Sequence, residues 1–440
     1  MLDIKLIREN KDAVIAGARK KHVKIDINEL IKLDDERRVL LAALEKERAE
    51  QNAVGEKIAT LSNIEVGITA PTHERDALIE QMKTLKKTIE QHDTELKEII
   101  KKWQLLMLQV PNIPDMSVPD GETDKDNREI KTWGELPDFS GKNGANGGVA
   151  FEPKDHVELM TALKMVDFER GAKVHGFRGY YLMGDGARLC FAVWNYALEF
   201  FSAKGFVPVI PPVIVRKANL YGTAHLPGDV EDYYMTQDCD ALAGTAEVPI
   251  MGLHGEEILD PAQFPIKYLG FSPCYRREAG AHSKDVKGLI RVHEFYKFEQ
   301  VILSEASHET SVRLHDELNR NTEEFIESLG IPYRTVVNCG GDLGLGQVKK
   351  YDIELWVPKE GTYREISSAS YFHDFQTRRF NTRYRDPVDN KLRYAHSLNC
   401  TAIPTPRILV SLVENFQQPD GSIRIPEVLQ KYLGKASIVI

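Results

Sequence analysis

The chain has 440 residues, 42% of them hydrophobic and 28% charged, and a formal net charge of -9, which leaves room for one large cored domain and a smaller module. It offers no run of roughly 18 apolar residues for a membrane span, and its opening MLDIKLIRENKDAVIAGARKK mixes charge signs where a secretory leader is apolar. Five scattered cysteines, Cys190, Cys239, Cys274, Cys339 and Cys400, lack CxxC or Cys/His spacing, so the expectation is a soluble protein of the reducing cytoplasm without structural zinc. The acidic balance argues against bulk attraction to nucleic acid but allows a local basic strip.

Leu30, Leu33, Leu40, Leu44, Val54, Ile58 and Leu61 fall on steps of three and four, with Arg37, Glu47 and Gln51 as polar interruptions. A second series, Leu78, Met82, Leu85, Ile89, His92, Leu96, Ile99, Trp103 and Leu106, keeps the same spacing and is broken only by His92. Between them, SNIEVGITAPTH carries Gly67 and Pro71, which continue a helix poorly. The spacing predicts an antiparallel two-helix coiled-coil arm over about 28–106, roughly 50 Å long at the helical rise per residue.

The following VPNIPDMSVPDGETDKDN reads as a surface linker, which places an N-terminal domain at 1–110 and a larger one at 111–440. In the larger part, FVPVIPPVIV, LIRVHEFYKFEQVIL and KKYDIELWV are strand-like, whereas ARLCFAVWNYALEFF and PRILVSLVENF are helical. They do not alternate as βαβ units, and neither GxGxxG after a strand nor GxxxxGK[ST] occurs, so a dinucleotide fold and a P-loop are unsupported. The fold class expected is α+β, an antiparallel β-sheet flanked by helices plus the helical arm.

Within FSPCYRREAGAHSKDVKGLIRVHEFYKFEQ, Arg276 stands where the first strand-like run ends, a place from which a guanidinium forks across a carboxylate and a phosphate. Composition alone fits a surface salt-bridge hairpin as well. However, YRREAG followed by GLIRVHEFYKFE resembles the second signature motif of class II aminoacyl-tRNA synthetases in its seryl form. GFVPVIPPVIV, with Pro212, followed by LYGTAHLP resembles the first motif, and PRILVSLVENFQ, with Arg407 after Pro406, the third. With the long hairpin, the resemblance covers essentially the whole chain and points to the seryl-tRNA synthetase family.

That resemblance implies a catalytic domain that activates L-serine with ATP and transfers it to tRNA(Ser), with tRNA(Sec) a further candidate. Arg276 and Arg407 are implied as catalytic: Arg276 bridging the serine carboxylate and the α-phosphate, Arg407 holding the γ-phosphate. Glu278 would accept from the adenine amino group and Phe295 would stack on the ring. Arg277, Val292, His293, Glu294, Ile366 and Ser367 complete the ATP-binding set. Glu365 and Ser368 would supply oxygen ligands to Mg²⁺. For serine, the pocket would be Thr245, Glu247, Arg276, Glu299, Asn399 and Thr401, and whether Glu299 meets the hydroxyl or the ammonium stays open. The first motif implies a homodimer around Pro212. On the arm, Lys83, Lys86, Lys87, Lys97, Lys101 and Lys102 would contact the tRNA backbone, although mixed Lys and Glu on a hairpin also serves solubility alone. Serine tRNAs carry unrelated anticodons, so an arm that reads shape suits them.

LNCTAIPTPRILV places Cys400, Pro404 and Pro406 where the bacterial form has glycines, a narrower backbone that changes pocket shape or is tolerated. Lys284 and Lys287 stand where arginine is usual, keeping charge without bidentate reach. Competing readings are an amino acid:carrier protein ligase, opposed by the intact hairpin, and a tRNA- or partner-binding paralogue without catalysis, opposed by retention of Arg276, Glu278, Glu299, Glu365 and Arg407. A histidine, proline or threonine enzyme is a poorer fit, because little chain follows the third motif to form an anticodon domain.

Overall fold

A computed structural model describes all residues except 65–71, 142–148, 229, 281–284, 286 and 440. The chain divides into two compact units, one formed by Met1–Leu2, Ala16–Val23 and Pro111–Ile440, the other by Asp3–Ile15 and Lys24–Val110.

The smaller unit is built on two helices, α1 (Ile27–Ile64) and α2 (Thr72–Gln109). Leu44, Ile89 and Leu96 are buried between them, flanked by Leu40, Leu41 and Ile100, so the predicted seam closes where its apolar series is densest. Of the polar interruptions, His92 and Glu47 meet each other across the seam and Arg37 packs on Trp103, with Arg48 and Asp93 paired alongside. His92 Nδ1 lies 3.0 Å from a Glu47 oxygen, Arg48 reaches Asp93 at 2.8 Å, and the Arg37 guanidinium lies 4.8 Å from the centroid of the Trp103 ring. These pairs establish the antiparallel register. The turn expected at Gly67 and Pro71 lies outside the described residues.

In the larger unit an eight-stranded sheet is formed by β1 (Arg128–Trp133), β2 (Val207–Val209), β3 (Ile266–Tyr275), β4 (Glu294–Ser304), β5 (Tyr333–Val337), β6 (Lys349–Val357), β7 (Thr362–His373) and β8 (His396–Thr405), in the order β1-β5-β6-β7-β8-β4-β3-β2. Neighbours run antiparallel except β2 and β3, which are parallel. Helix α3 (Asp185–Ala203) and helix α5 (His308–Leu329) share the large core, with Phe201, Phe325 and Ile326 fully buried in it with Ile302 and Leu398. Ser307 caps α5 by accepting from the Thr310 N–H, and Gly330, at φ +72°, ends it. A short helix α4 (Glu247–Leu253) lies against β3 at Gly270, where a Cβ would stand 2.5 Å from Ile250 Cδ1.

The α+β class and the antiparallel sheet agree with the sequence. Three local expectations are corrected. FVPVIPPVIV is two strands, Val207–Val209 and Ile214–Val215, because consecutive Pro211 and Pro212 have no N–H to give a ladder. In LIRVHEFYKFEQVIL the strand starts only at Glu294. The linker is not purely surface: Asn112 is buried and donates to the carbonyls of Gly346 at 3.0 Å and Phe372 at 2.8 Å. Among the described residues no helix is long and apolar enough to cross a membrane.

Candidate active site

Because side chains alternate across a strand, β4 presents Phe295, Lys297 and Glu299 on one face and Glu294 and Tyr296 on the other. The first face closes a cleft of about 240 Å³. Of the residues assigned to ATP, Arg276, Glu278, Val292, Phe295, Glu365, Ile366, Ser368 and Arg407 line it. Four others do not. Glu294 lines a separate cavity with His175 and Tyr180. His293 stacks on His175 at 5.6 Å and its Nδ1 meets the Arg276 carbonyl at 3.0 Å. Arg277 is exposed beyond the cleft, and Ser367 is buried with its hydroxyl donated to the Thr401 carbonyl. Their side chains take no part in this cleft as it stands.

Arg276 follows the last residue of β3, so the strand aims it while leaving the guanidinium free of the ladder. Its Nε donates to the Gly244 carbonyl at 3.3 Å, and its guanidinium lies 5.4 Å from the centroid of Phe295. The cation thus covers the very ring assigned to adenine. Two residues on, Glu278 holds a left-handed φ of +53° and pairs with Arg291, a contact that an incoming donor must share. A residue forced into that region is a strained position held by its surroundings. The anchor is Asp232, which accepts the Arg277 N–H through its carbonyl and the Ala279 N–H through its carboxylate. Across the cleft, Pro406 caps helix α6 (Arg407–Asn415), so that Arg407 is its first residue. Arg407 donates to the carbonyls of Ile290 at 2.8 Å and Glu365 at 2.9 Å. Burial lowers its proton affinity, with the Glu365 charge opposing. Glu365 and Ser368 offer only oxygen donors at the cleft wall, a donor set that fits a hard divalent cation shared with a phosphate.

The residues assigned to serine come together beyond Lys297 and Thr401. Glu299 pairs with β3 residue Gly270 and β8 residue Thr401, which brings three elements to one point. Thr245 donates to Glu299 Oε2 at 3.3 Å and Thr401 approaches the same oxygen at 3.5 Å. Glu247, the first residue of α4, accepts from Gln376 at 2.7 Å and from Asn399. Burial pushes both carboxyls up; Gln376 and Lys297 hold Glu247 down, and Lys297 holds Glu299 down. Sequence reasoning missed Lys297, Arg291 and Gln376. Lys297 ion-pairs with Glu299 and donates to Thr245 Oγ1 at 3.0 Å. A lysine in a strand reads as surface, and only the alternation with Phe295 and Glu299 hinted otherwise.

Residues 1–114 match the model of the seryl-tRNA synthetase N-terminal domain, and residues 233–416 match the tRNA synthetase class II core domain (G, H, P, S and T). The chain is 42% identical to the serine--tRNA ligase of Deinococcus radiodurans over 100% of this chain and 99% of the relative. The chain belongs to the seryl-tRNA synthetase family. Among solved family members, the seryl-tRNA synthetase of Pyrococcus horikoshii complexed with ATP superposes with a TM-score of 0.88 at 40% identity, covering 100% of this chain and 99% of that one. The cytoplasmic serine-tRNA ligase of Naegleria fowleri in complex with AMP gives 0.83 at 32% identity, covering 100% and 98%.

The segment with Cys400, Pro404 and Pro406 runs through β8 and its exit, with a register shift against β4 between Thr401 and Ile403: Pro404 and Pro406 line the cleft, and Cys400 is buried, its thiol pushed up to about 12 by desolvation. Lys287 is exposed, and Lys284 lies outside the described residues. On the arm, Lys83, Lys86, Lys87, Lys97, Lys101 and Lys102 are all exposed along α2, with Lys83 bonded to Glu80 at 2.6 Å.

Proposed function

We propose that this protein activates L-serine with ATP and transfers the seryl group to the 3′ end of tRNA(Ser), with tRNA(Sec) a second candidate acceptor. The observation that carries the reading is the convergence of Arg276, Glu278, Phe295 and Arg407 on one cleft whose inner end meets the buried Thr245, Glu247 and Glu299 and the half-buried Thr401. The serine carboxylate, ionised at neutral pH, is the nucleophile. It attacks the α-phosphorus, the bond to the bridging oxygen breaks, and pyrophosphate leaves. Arg276 orients the carboxylate and compensates charge growing on the phosphoryl oxygens. In a second step the terminal tRNA hydroxyl displaces AMP from the seryl carbonyl. Glu365 and Ser368 would hold a magnesium ion, which when bound neutralises charge on the leaving phosphates.

The N-terminal domain, 1–110, with its arm over about 28–106, serves tRNA and the remainder, 111–440, the chemistry, in a cytoplasmic enzyme. Exposed Phe191, Val207, Ile210 and Ile214, at 59%, 56%, 84% and 58%, support a homodimer through the first motif. The test is pyrophosphate exchange into ATP with serine, threonine, alanine, glycine and cysteine offered singly. Exchange with serine alone supports the reading; none with any amino acid, from folded protein, sinks it.

A further inference from the structure

The serine pocket holds a cation of its own. Lys297 is 5% exposed and Glu299 2% exposed; their side chains leave the same face of β4 two residues apart and form an ion pair. The ammonium also donates to Thr245 Oγ1 at 3.0 Å and approaches Thr401 Oγ1 at 3.4 Å. One group with three donors therefore touches Glu299 and both threonine hydroxyls that meet its Oε2. Two buried carboxyl groups, Glu247 and Glu299, stand against the ammonium of Lys297, and the Arg276 guanidinium, assigned to the serine carboxylate, faces Glu247 from the cleft. The other groups facing them are His225, whose Nε2 is 4.0 Å from Glu247, and the buried thiols of Cys274 and Cys400.

We propose that Lys297 is a positioning residue for serine recognition, clamping Glu299, Thr245 and Thr401 in one arrangement and opposing the buried carboxyl groups with a fixed cation, so that Glu299 is kept as an acceptor for the substrate. The inference rests on the serine reading of this pocket. Two adjacent carboxylates buried without a fixed cation cannot both stay ionised. Desolvation already pushes Glu299 up, Glu247 adds to it, and Lys297 is the principal opposing charge. Removing Lys297 therefore favours the protonated carboxyls, and serine loses an acceptor. Threonine-sized or alanine-sized substrates should gain nothing, because the clamp fixes polar geometry rather than space.

The experiment is serine-dependent pyrophosphate exchange by the full-length protein between pH 6 and 8.5, comparing wild type, Lys297→Met and Lys297→Arg, with KM measured separately for serine and ATP. Wild type should show a serine KM flat over this range. In Lys297→Met the serine KM should rise roughly 100-fold or more at pH 7, fall again as pH rises and the carboxylates ionise, and leave the ATP KM within about twofold. Lys297→Arg, which keeps the charge should the methionine variant fail to fold, should show a raised but pH-independent serine KM. A serine KM unchanged in Lys297→Met, or serine and ATP KM rising together in Lys297→Arg, overturns the proposal while leaving the enzyme reading standing. An inactive wild type removes both.

Discussion

In the proposed reaction Arg276 carries the largest share, and it extends from the Gly244 carbonyl toward the cleft at the end of β3. Arg276→Ala is expected to lower kcat/KM for serine-dependent exchange by about 10³-fold with the melting temperature unchanged, because the side chain is exposed and supports no core. Phe295→Leu should act differently, raising the ATP KM several-fold with little change for serine, since the aliphatic residue keeps burial but not stacking. How far this site was legible in the sequence follows from the kind of residue. Arg276, Glu278 and Phe295 stand in one long motif and Arg407 in the third, so the resemblance of both motifs predicts that they converge. Within that motif, His293 and Glu294 were grouped with their neighbours by adjacency, yet the pleat sends Glu294 to the opposite face. Lys297 was invisible for the converse reason: its partners Thr245 and Thr401 are distant in sequence and carry no charge to advertise a buried ammonium.

At the scale of elements, the arm was the easiest to read, because two heptad series with few faults specify two helices and their pairing. What the series did not reveal is that its faults are complementary, Glu47 answering His92 and Arg37 covering Trp103. The sheet was harder. Strand existence followed from β-branched and aromatic runs, but strand order depends on long-range pairing that no local pattern encodes, and the parallel placement of β2 beside β3 had no signal at all. The arm also carries its own prediction. Replacing Lys97, Lys101 and Lys102, exposed on α2, by glutamate should raise the tRNA KM in charging and flatten its salt dependence by about two to three in slope. Exchange without tRNA should be unchanged. Equal loss in both assays would count against a separate tRNA-binding role for α2.

The whole molecule should be acid-sensitive for a reason apart from its chemistry. His315, His373 and His396 cluster around β7, β8 and α5, and burial lowers each to about 4. His315 Nε2 meets the Ala369 carbonyl at 2.9 Å, His396 Nδ1 meets Ser311 at 2.8 Å, and His373 Nε2 meets His308 Nδ1 at 3.1 Å. Their native values lie below the unfolded one near 6.5, so the unfolded chain binds more protons, and stability is full above that value and lost as pH falls toward 4. Thermal unfolding should therefore shift downward between pH 7 and 5, by an amount reflecting on the order of 1–3 kcal/mol per histidine, and His315→Gln should flatten the profile.

The paired faults in the arm have a consequence for length. Sliding one helix past the other by a heptad would set Glu47 against an apolar side chain and strand His92, so the hairpin has one admissible alignment. Helices of 38 residues held so span about 57 Å and behave as a gauge block. Trimming one heptad from each would draw the far end in by about 10 Å without touching a single group in the cleft, turning reach into a quantity that can be dialled independently of catalysis.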